Sequence, residues 1–459
     1  MKEAVPVGSV QVKPASQLSF GRKIGYGIGE IALNFLVAGM SNYLLFFYTD
    51  VFGITAGAAG LVMLLGRIWD AANDPIMGII GDRTQTRWGK YRPYVLFGAA
   101  PAAIVTVLTF TTPPFSVSGK LIWAYITYFA WCAAFTVVAV PYNALMANLT
   151  TDSQERSSLS AIKTIFAVLG SLLVVVLAKP MTESLGSSLQ SGYTITFGIF
   201  STLAFILFVI CFALTRERVD LSAQTQTNFF NKDQFKALVN NRPLITLTLF
   251  FLFFQIAFSL FRTVDLYFFK YVLERGNLYS IAMLAAHICA VAGMVSMPFF
   301  VKRFDKKKTA LWSCAIGCLF FLPMYFIPGN VTVALACIAL TYLILSIPYA
   351  LFFGILPDTV EYGQWKSGIR AAALIVSVFT FTQKLGMALS AVLAGKVLDY
   401  VGYVPDQAQT ATALHGILML RTIIPMALVV VGALFFLLYN LDREKHQEIL
   451  NELKIKDAV

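Results

Sequence analysis

Residues 67–78 read Arg67-Ile68-Trp69-Asp70-Ala71-Ala72-Asn73-Asp74-Pro75-Ile76-Met77-Gly78, inside an otherwise apolar stretch from about 55 to 80. A membrane-spanning helix needs about 20 predominantly apolar residues, and this stretch supplies them. An ionisable side chain at mid-bilayer costs from about 2.5 kcal/mol upward, so each one marks a functional position. The spacings i, i+3, i+6 and i+7 place Arg67, Asp70, Asn73 and Asp74 on one helical face. Two carboxylates one turn apart repel unless a cation or proton lies between them. Hard cations take oxygen ligands, which this face offers. Pro75 has no N–H, so the carbonyl of Ala71 is left free. The face reads as a site for Na⁺ or H⁺. The structural alternative is an Arg67–Asp70 pair with Asp74 turned to the cytoplasmic end.

The rest of the chain has the composition of a bilayer protein. Of its 459 residues, 58% are hydrophobic and 13% charged, whereas soluble domains carry roughly 25% charged residues. That excludes a soluble enzyme, a disordered chain and a secreted disulfide scaffold. Apolar stretches between polar or Gly/Pro punctuation predict an all-α membrane protein with twelve transmembrane helices. The expected spans are 24–48, 55–80, 92–112, 120–147, 159–179, 193–214, 243–269, 279–301, 309–328, 331–356, 371–398 and 415–440. The polar loop 215–242 divides them into two six-helix halves, 24–214 and 243–440, flanked by tails 1–23 and 441–459. Weak repeats support the division. Val140-Pro141-Tyr142-x-Ala144-Leu145 is echoed by Ile347-Pro348-Tyr349-Ala350-Leu351, and the basic loops after spans two and eight echo each other. Two such halves with a site between them are the plan of many secondary transporters.

The net charge of +11, from 35 Lys+Arg and 24 Asp+Glu, is concentrated in loops of one side. Arg83, Arg87, Lys90 and Arg92 follow span two, and Lys302, Arg303, Lys306, Lys307 and Lys308 follow span eight. By the positive-inside rule both termini are expected in the cytoplasm. The surplus is therefore a topology signal, and no nucleic-acid partner is expected.

Other interior charges are few. Span eleven carries Thr380 and Lys384 at i, i+4. Lys384 is a candidate partner for the span-two carboxylates or for an anionic substrate group. In span seven, Arg262 and Asp265 either neutralise each other near the outer end or leave Arg262 facing the cavity. Glu30 follows Gly25-Tyr26-Gly27-Ile28-Gly29, a pattern that reads as close helix packing. Arg421 falls near the edge of the last span. The six cysteines lie in apolar runs without metal-ligand spacing, and the three histidines are scattered. No nucleophile motif, Walker loop or zinc-binding helix pair appears. Neither enzyme activity nor a cofactor is expected.

Three stretches resemble the glycoside–pentoside–hexuronide:cation symporters of the major facilitator superfamily. They are Tyr48-Thr49-Asp50 followed by Arg67 to Gly78; Arg87-Trp88-Gly89-Lys90-Tyr91-Arg92-Pro93; and Asp358-Thr359-Val360-Glu361-Tyr362-Gly363 running to Gly368-Ile369-Arg370. The resemblance extends from about Gly21 to Asp442. It implies the major facilitator fold and cation-coupled sugar symport by alternating access. It carries the cation ligands onto Asp70, Asn73, Asp74 and Thr136, a set that favours Na⁺ over H⁺ alone. It places Tyr349, Thr380 and Lys384 against the sugar, and Arg156, Asp358, Glu361 and Arg370 in a cytoplasmic ionic gate.

Departures from the family bear on the substrate. Where the melibiose permease has Lys-Asp on span one and Asp on span four, this chain has Leu33-Asn34 and Ala139. The span-four Trp is Asn143, the span-five Arg is Thr164 or, one position away, Lys163, and the Glu after Gly-Ile-Arg is Ala372. Carboxylates that grip a neutral galactoside are missing while basic groups remain. An anionic sugar, such as a uronide or sulfonated sugar, is therefore expected. Asn34, Asn143, Lys163, Arg262, Tyr349, Thr380 and Lys384 are the candidate substrate contacts. The alternatives are a neutral pentoside or β-glycoside, a lysophospholipid-type lipid carrier, and a non-transporting sensor, for which the tail 441–459 is short. The expected setting is the bacterial cytoplasmic membrane, with the protein acting as a monomer.

Overall fold

The structure, a computed structural model, describes residues 18–150, 152–217, 232–369 and 371–457. Among these residues the fold is helical, with one isolated bridge, Thr86–Gly89, and no strand. Eleven helices are long and apolar enough to cross a membrane. A twelfth, Ala56–Arg83, has 28 residues and is about 42 Å long at 1.5 Å per residue. Its apolar character is interrupted by the charges that opened the sequence reading.

In chain order the spans are α1 (Phe20–Asn42), α2 (Ala56–Arg83), α3 (Arg92–Thr109), α4 (Val117–Leu149), α5 (Ser153–Ser184) and α6 (Leu189–Leu214). The second set is α7 (Arg242–Val272), α8 (Gly276–Phe304), α9 (Lys306–Phe326), α10 (Val331–Ser367), α11 (Ala372–Tyr400) and α12 (Ala411–Leu437). Side-chain caps start many of them. Thr55, Ser116, Asp152, Asn241, Asn330 and Thr410 each accept a backbone N–H that has no carbonyl within the helix. The main difference from the expected limits is α10. It runs to Ser367 instead of stopping near 356, and carries Pro348 and Pro357 inside it. A short helix, Lys232–Val239, precedes α7, and a polar helix, Arg443–Asp457, follows α12.

Within the first set, α1 packs on α5 and α6, α2 on α4, and α3 on α4 and α6. Within the second, α7 packs on α11 and α12, α8 on α10, and α9 on α10 and α12. Two seams join the halves, α2 against α11 and α5 against α8. In the first seam the backbones touch. A Cβ at Gly60 would sit 2.8 Å from the Ala391 carbonyl oxygen, and one at Gly395 only 2.2 Å from that of Ala56. Glycine is required for that approach.

The halves are also tied by a polar knot at this end. The Asp50 side chain is fully buried and accepts hydrogen bonds from Lys270 Nζ at 3.0 Å, Tyr271 Oη at 2.5 Å and Tyr403 Oη at 2.7 Å. Thr49 hydrogen-bonds Tyr267 at 2.8 Å, and Asp399 accepts the Gly57 N–H at 2.8 Å. Each bond joins one half to the other.

The basic loops lie at the opposite end. There Glu217 accepts the backbone N–H groups of Lys90, Tyr91 and Arg92 at 2.9, 2.8 and 3.0 Å, capping α3. The side-chain ion pairs near the signature in α10 stay within one half, as described below. Among the described residues, the polar bonds that tie the two halves thus gather at the Asp50 end, and the side-chain ion pairs at the basic end stay within one half.

Candidate functional site

Asp70 and Asp74 are one turn apart on α2. Asp70 is fully buried, and the Asp74 side chain is 28% exposed. Thr136 on α4 brings its hydroxyl within 2.8 Å of Asp70 Oδ1 and 3.2 Å of Asp74 Oδ1. A hydroxyl has one proton to donate, so Thr136 satisfies one carboxylate at a time. From the other side, Lys384 on α11 places Nζ 2.8 Å from Asp70 Oδ2 and 2.5 Å from Asp74 Oδ2. Arg67 stands 3.6 Å from Asp70 and lies over Trp131. Two bare carboxylates roughly 4 Å apart would repel by about 4 kcal/mol at an effective dielectric of 20. The Lys384 ammonium removes that repulsion from the point where an oxygen-coordinated cation would also sit. Of the two partners open to Lys384 in the sequence, the structure pairs it with the carboxylates.

Asn73, one residue before Asp74, makes no hydrogen bond to this group through its amide nitrogen. That nitrogen is buried without a hydrogen-bond partner among the described residues.

Asn34, Asn143, Arg262, Tyr349, Thr380 and Lys384 all line one cavity of about 520 Å³, as do Arg67 and Asp74. That volume suits a small ligand. Tyr349 stacks on Phe258, with ring centroids 5.1 Å apart, and its hydroxyl accepts Gln383 Nε2 at 3.1 Å. Lys163 stands behind the lining. Its ammonium donates to Asn143 Oδ1 at 2.5 Å and lies 3.8 Å from Glu30, both of which face the cavity.

The Arg262–Asp265 pairing open in the sequence is not made. Asp265 is fully buried and holds Arg421 Nε at 2.5 Å and the Tyr342 hydroxyl at 3.1 Å. Arg262 instead faces the cavity, over the Phe258 ring and 3.4 Å from Asn42 Oδ1. Arg421, expected near a span edge, is wholly buried at the junction of the two segments of α12.

Two of the expected gate residues, Asp358 and Glu361, stand together around His446, whereas the described contacts of Arg156 are to backbone carbonyls. Asp358 accepts Lys306 Nζ at 2.6 and 2.9 Å, and Glu361 is 2.5 Å from His446 of the polar C-terminal helix. Arg156 donates to the carbonyls of Thr150 and Ala147 at 2.9 and 3.4 Å. Arg370 lies outside the described residues. Sequence reasoning missed Glu30, Asn42 and Gln255 as cavity residues and Asp50 as the centre of the knot. Asn42 and Gln255 carried the usable signal, a polar amide inside an apolar run.

A twelve-helix bundle with a polar cavity between two halves that are tied together at one end has a secondary-transporter architecture. Residues 25–443 match the family model described as MFS/sugar transport protein. The chain is 38% identical to a Bacillus subtilis (strain 168) protein named uncharacterized symporter YnaJ, covering 96% of each. It is 32% identical to the isoprimeverose transporter of Lactiplantibacillus pentosus, covering 98% of this chain and 96% of that one. It is 31% identical to the glucuronide carrier protein homolog of Escherichia coli (strain K12), covering 96% and 97%. The chain belongs to the MFS/sugar transport family. It is a multi-pass membrane transporter and not an enzyme.

Proposed function

We propose that the chain is a cation-coupled sugar symporter of the bacterial cytoplasmic membrane whose substrate carries an acidic group. The observation that carries the acidic preference is Arg262. Every other cation at the cavity has a carboxylate: Lys384 has Asp70 and Asp74, Arg67 has Asp70, and Lys163 has Glu30. Arg262 has none among the described residues, because Asp265 is held by Arg421 and Tyr342. A half-buried guanidinium without an anion is incomplete, and a substrate carboxylate or sulfonate completes it with charge-assisted hydrogen bonds. The names of the relatives do not choose between charged and neutral sugars. One is an isoprimeverose transporter and another a glucuronide carrier homolog, at nearly equal identity.

Cation coupling rests on the oxygen set of Asp70, Asp74 and Thr136, which suits Na⁺. Na⁺ entering this set displaces the Lys384 ammonium. Lys384 lines the cavity beside Thr380 and Tyr349, so its released charge joins Arg262 against the acidic substrate. Cation and substrate then each favour the form that receives the other, as coupling requires. With the basic end in the cytoplasm, the Asp50 knot ties the halves together at the outer side, and alternating access requires that knot to open. The protein works as a monomer in this reading, since one chain supplies both halves.

Arg262→Gln tests the reading. Removing one charge-assisted hydrogen-bond donor costs about 1.5–3 kcal/mol, or roughly tenfold to a hundredfold in affinity. Calorimetric titration of the purified variant is expected to show that loss for an acidic glycoside and little change for its neutral counterpart. Equal weakening for both would remove the basis for an acidic substrate.

A further inference from the structure

Arg262 and Asp265 are one turn apart on α7, a spacing at which opposite charges ordinarily neutralise each other. Here the carboxylate is taken by a residue 156 positions away in sequence. Arg421 is wholly buried, lies 5.1 Å over the Phe261 ring, and sits where α12 passes from Ala411–Arg421 to Ile423–Leu437. Its terminal amino groups have no hydrogen-bond partner among the described residues. Such a pair is a weak source of stability, because burying two charges costs much of what their attraction returns. Its role is therefore to be sought in what the pair does to its neighbours.

We propose that Arg421 is a positioning residue that sets the charge selectivity of the sugar cavity: by claiming Asp265, it keeps Arg262 uncompensated and available to an acidic substrate. The inference rests on the acidic-substrate reading above. A buried carboxylate left without a cation takes the next one available. The other cation near Asp265 is Arg262. Without Arg421 the cavity therefore presents an Arg262–Asp265 pair, neutral overall and suited to sugar hydroxyls. Arg421 does not itself line the cavity and acts on it through Asp265.

The test measures binding of two probes to the purified protein in Na⁺: methyl β-D-glucuronide and methyl β-D-glucoside, which differ only in a carboxylate or a hydroxymethyl group at C6. Arg421→Met is expected to lower the glucuronide-to-glucoside affinity ratio by about tenfold or more. Arg421→Gln, which keeps a donor for Asp265 without the charge, is expected to lower it in the same direction. Adding Asp265→Asn to Arg421→Met removes the carboxylate that captures Arg262, and the wild-type ratio is expected to return. A purely structural role for Arg421 would weaken both probes together and leave the ratio alone. An unchanged ratio in Arg421→Met and Arg421→Gln, or no return in the double variant, overturns the inference. Failure of the acidic-substrate reading looks different: the wild type itself would show no preference for the glucuronide, or Arg262→Gln would keep the preference intact.

Discussion

Asp70→Cys and Asp74→Cys are each expected to abolish Na⁺-stimulated uptake while the protein still reaches the membrane. Each change removes one of the two carboxylates that face the Thr136 hydroxyl and the Lys384 ammonium. The remaining carboxylate is then held by Lys384, and the oxygen set has lost one of the two carboxylates that would hold a cation. The two variants should differ in stability. Asp70 is fully buried and also steadies Arg67, so its loss leaves a buried guanidinium without its carboxylate. Removing one partner of a buried pair costs about 3–5 kcal/mol. Asp74 is partly exposed, so Asp74→Cys should fold with a smaller penalty and is the cleaner probe. Uptake of a radiolabelled acidic glycoside by vesicles with and without a Na⁺ gradient reads the outcome. Full Na⁺ stimulation in either variant would sink the assignment of the cation site.

Lys384→Met is expected to separate cation binding from substrate binding. With the ammonium gone, two carboxylates face each other across a distance at which they repel by about 4 kcal/mol. Na⁺ should therefore bind more tightly than in the wild type when no substrate is present. Substrate should no longer tighten Na⁺ binding, nor Na⁺ tighten substrate binding, because the residue that moves between the two sites is missing. Linkage makes the two losses equal, and a typical coupling factor of about 5–150-fold would fall to about one. Transport should be lost even though both ligands still bind. Calorimetric titration of Na⁺, with and without substrate, gives all the quantities needed. A Lys384→Met protein in which substrate still tightens Na⁺ binding as in the wild type would show that Lys384 does not carry the coupling.

The parts of the fold legible in the sequence were those written in local contrast. Long apolar runs gave the helices, and Asp70 and Asp74 stood out because charge is rare in such runs. Lys384 stood out for the same reason, but its partners lie up to 314 residues away, and no local pattern encodes that meeting. Thr136 came only through family resemblance, since a threonine in an apolar run is unremarkable by itself. Arg262 and Asp265 show the limit most clearly. Their spacing allowed a self-contained pair, and only the tertiary position of Arg421 shows that the pair is not made. The α10 helix runs beyond the apolar stretch that set its expected limit because Lys306 and the C-terminal helix hold Asp358 and Glu361 in its polar last turns. The Asp50 knot was invisible for a similar reason: its donors come from two distant segments of the other half.

The central claim is that a cation displaces Lys384 from Asp70 and Asp74 and thereby releases it, together with Arg262, for an acidic sugar. The measurement that tests this most directly is the dissociation constant of methyl β-D-glucuronide for the purified wild-type protein, in NaCl and in choline chloride at equal ionic strength. The account predicts that Na⁺ tightens binding by about fivefold or more, the lower end of typical coupling between two sites. Equal affinity in the two salts, or tighter binding in choline, would contradict it.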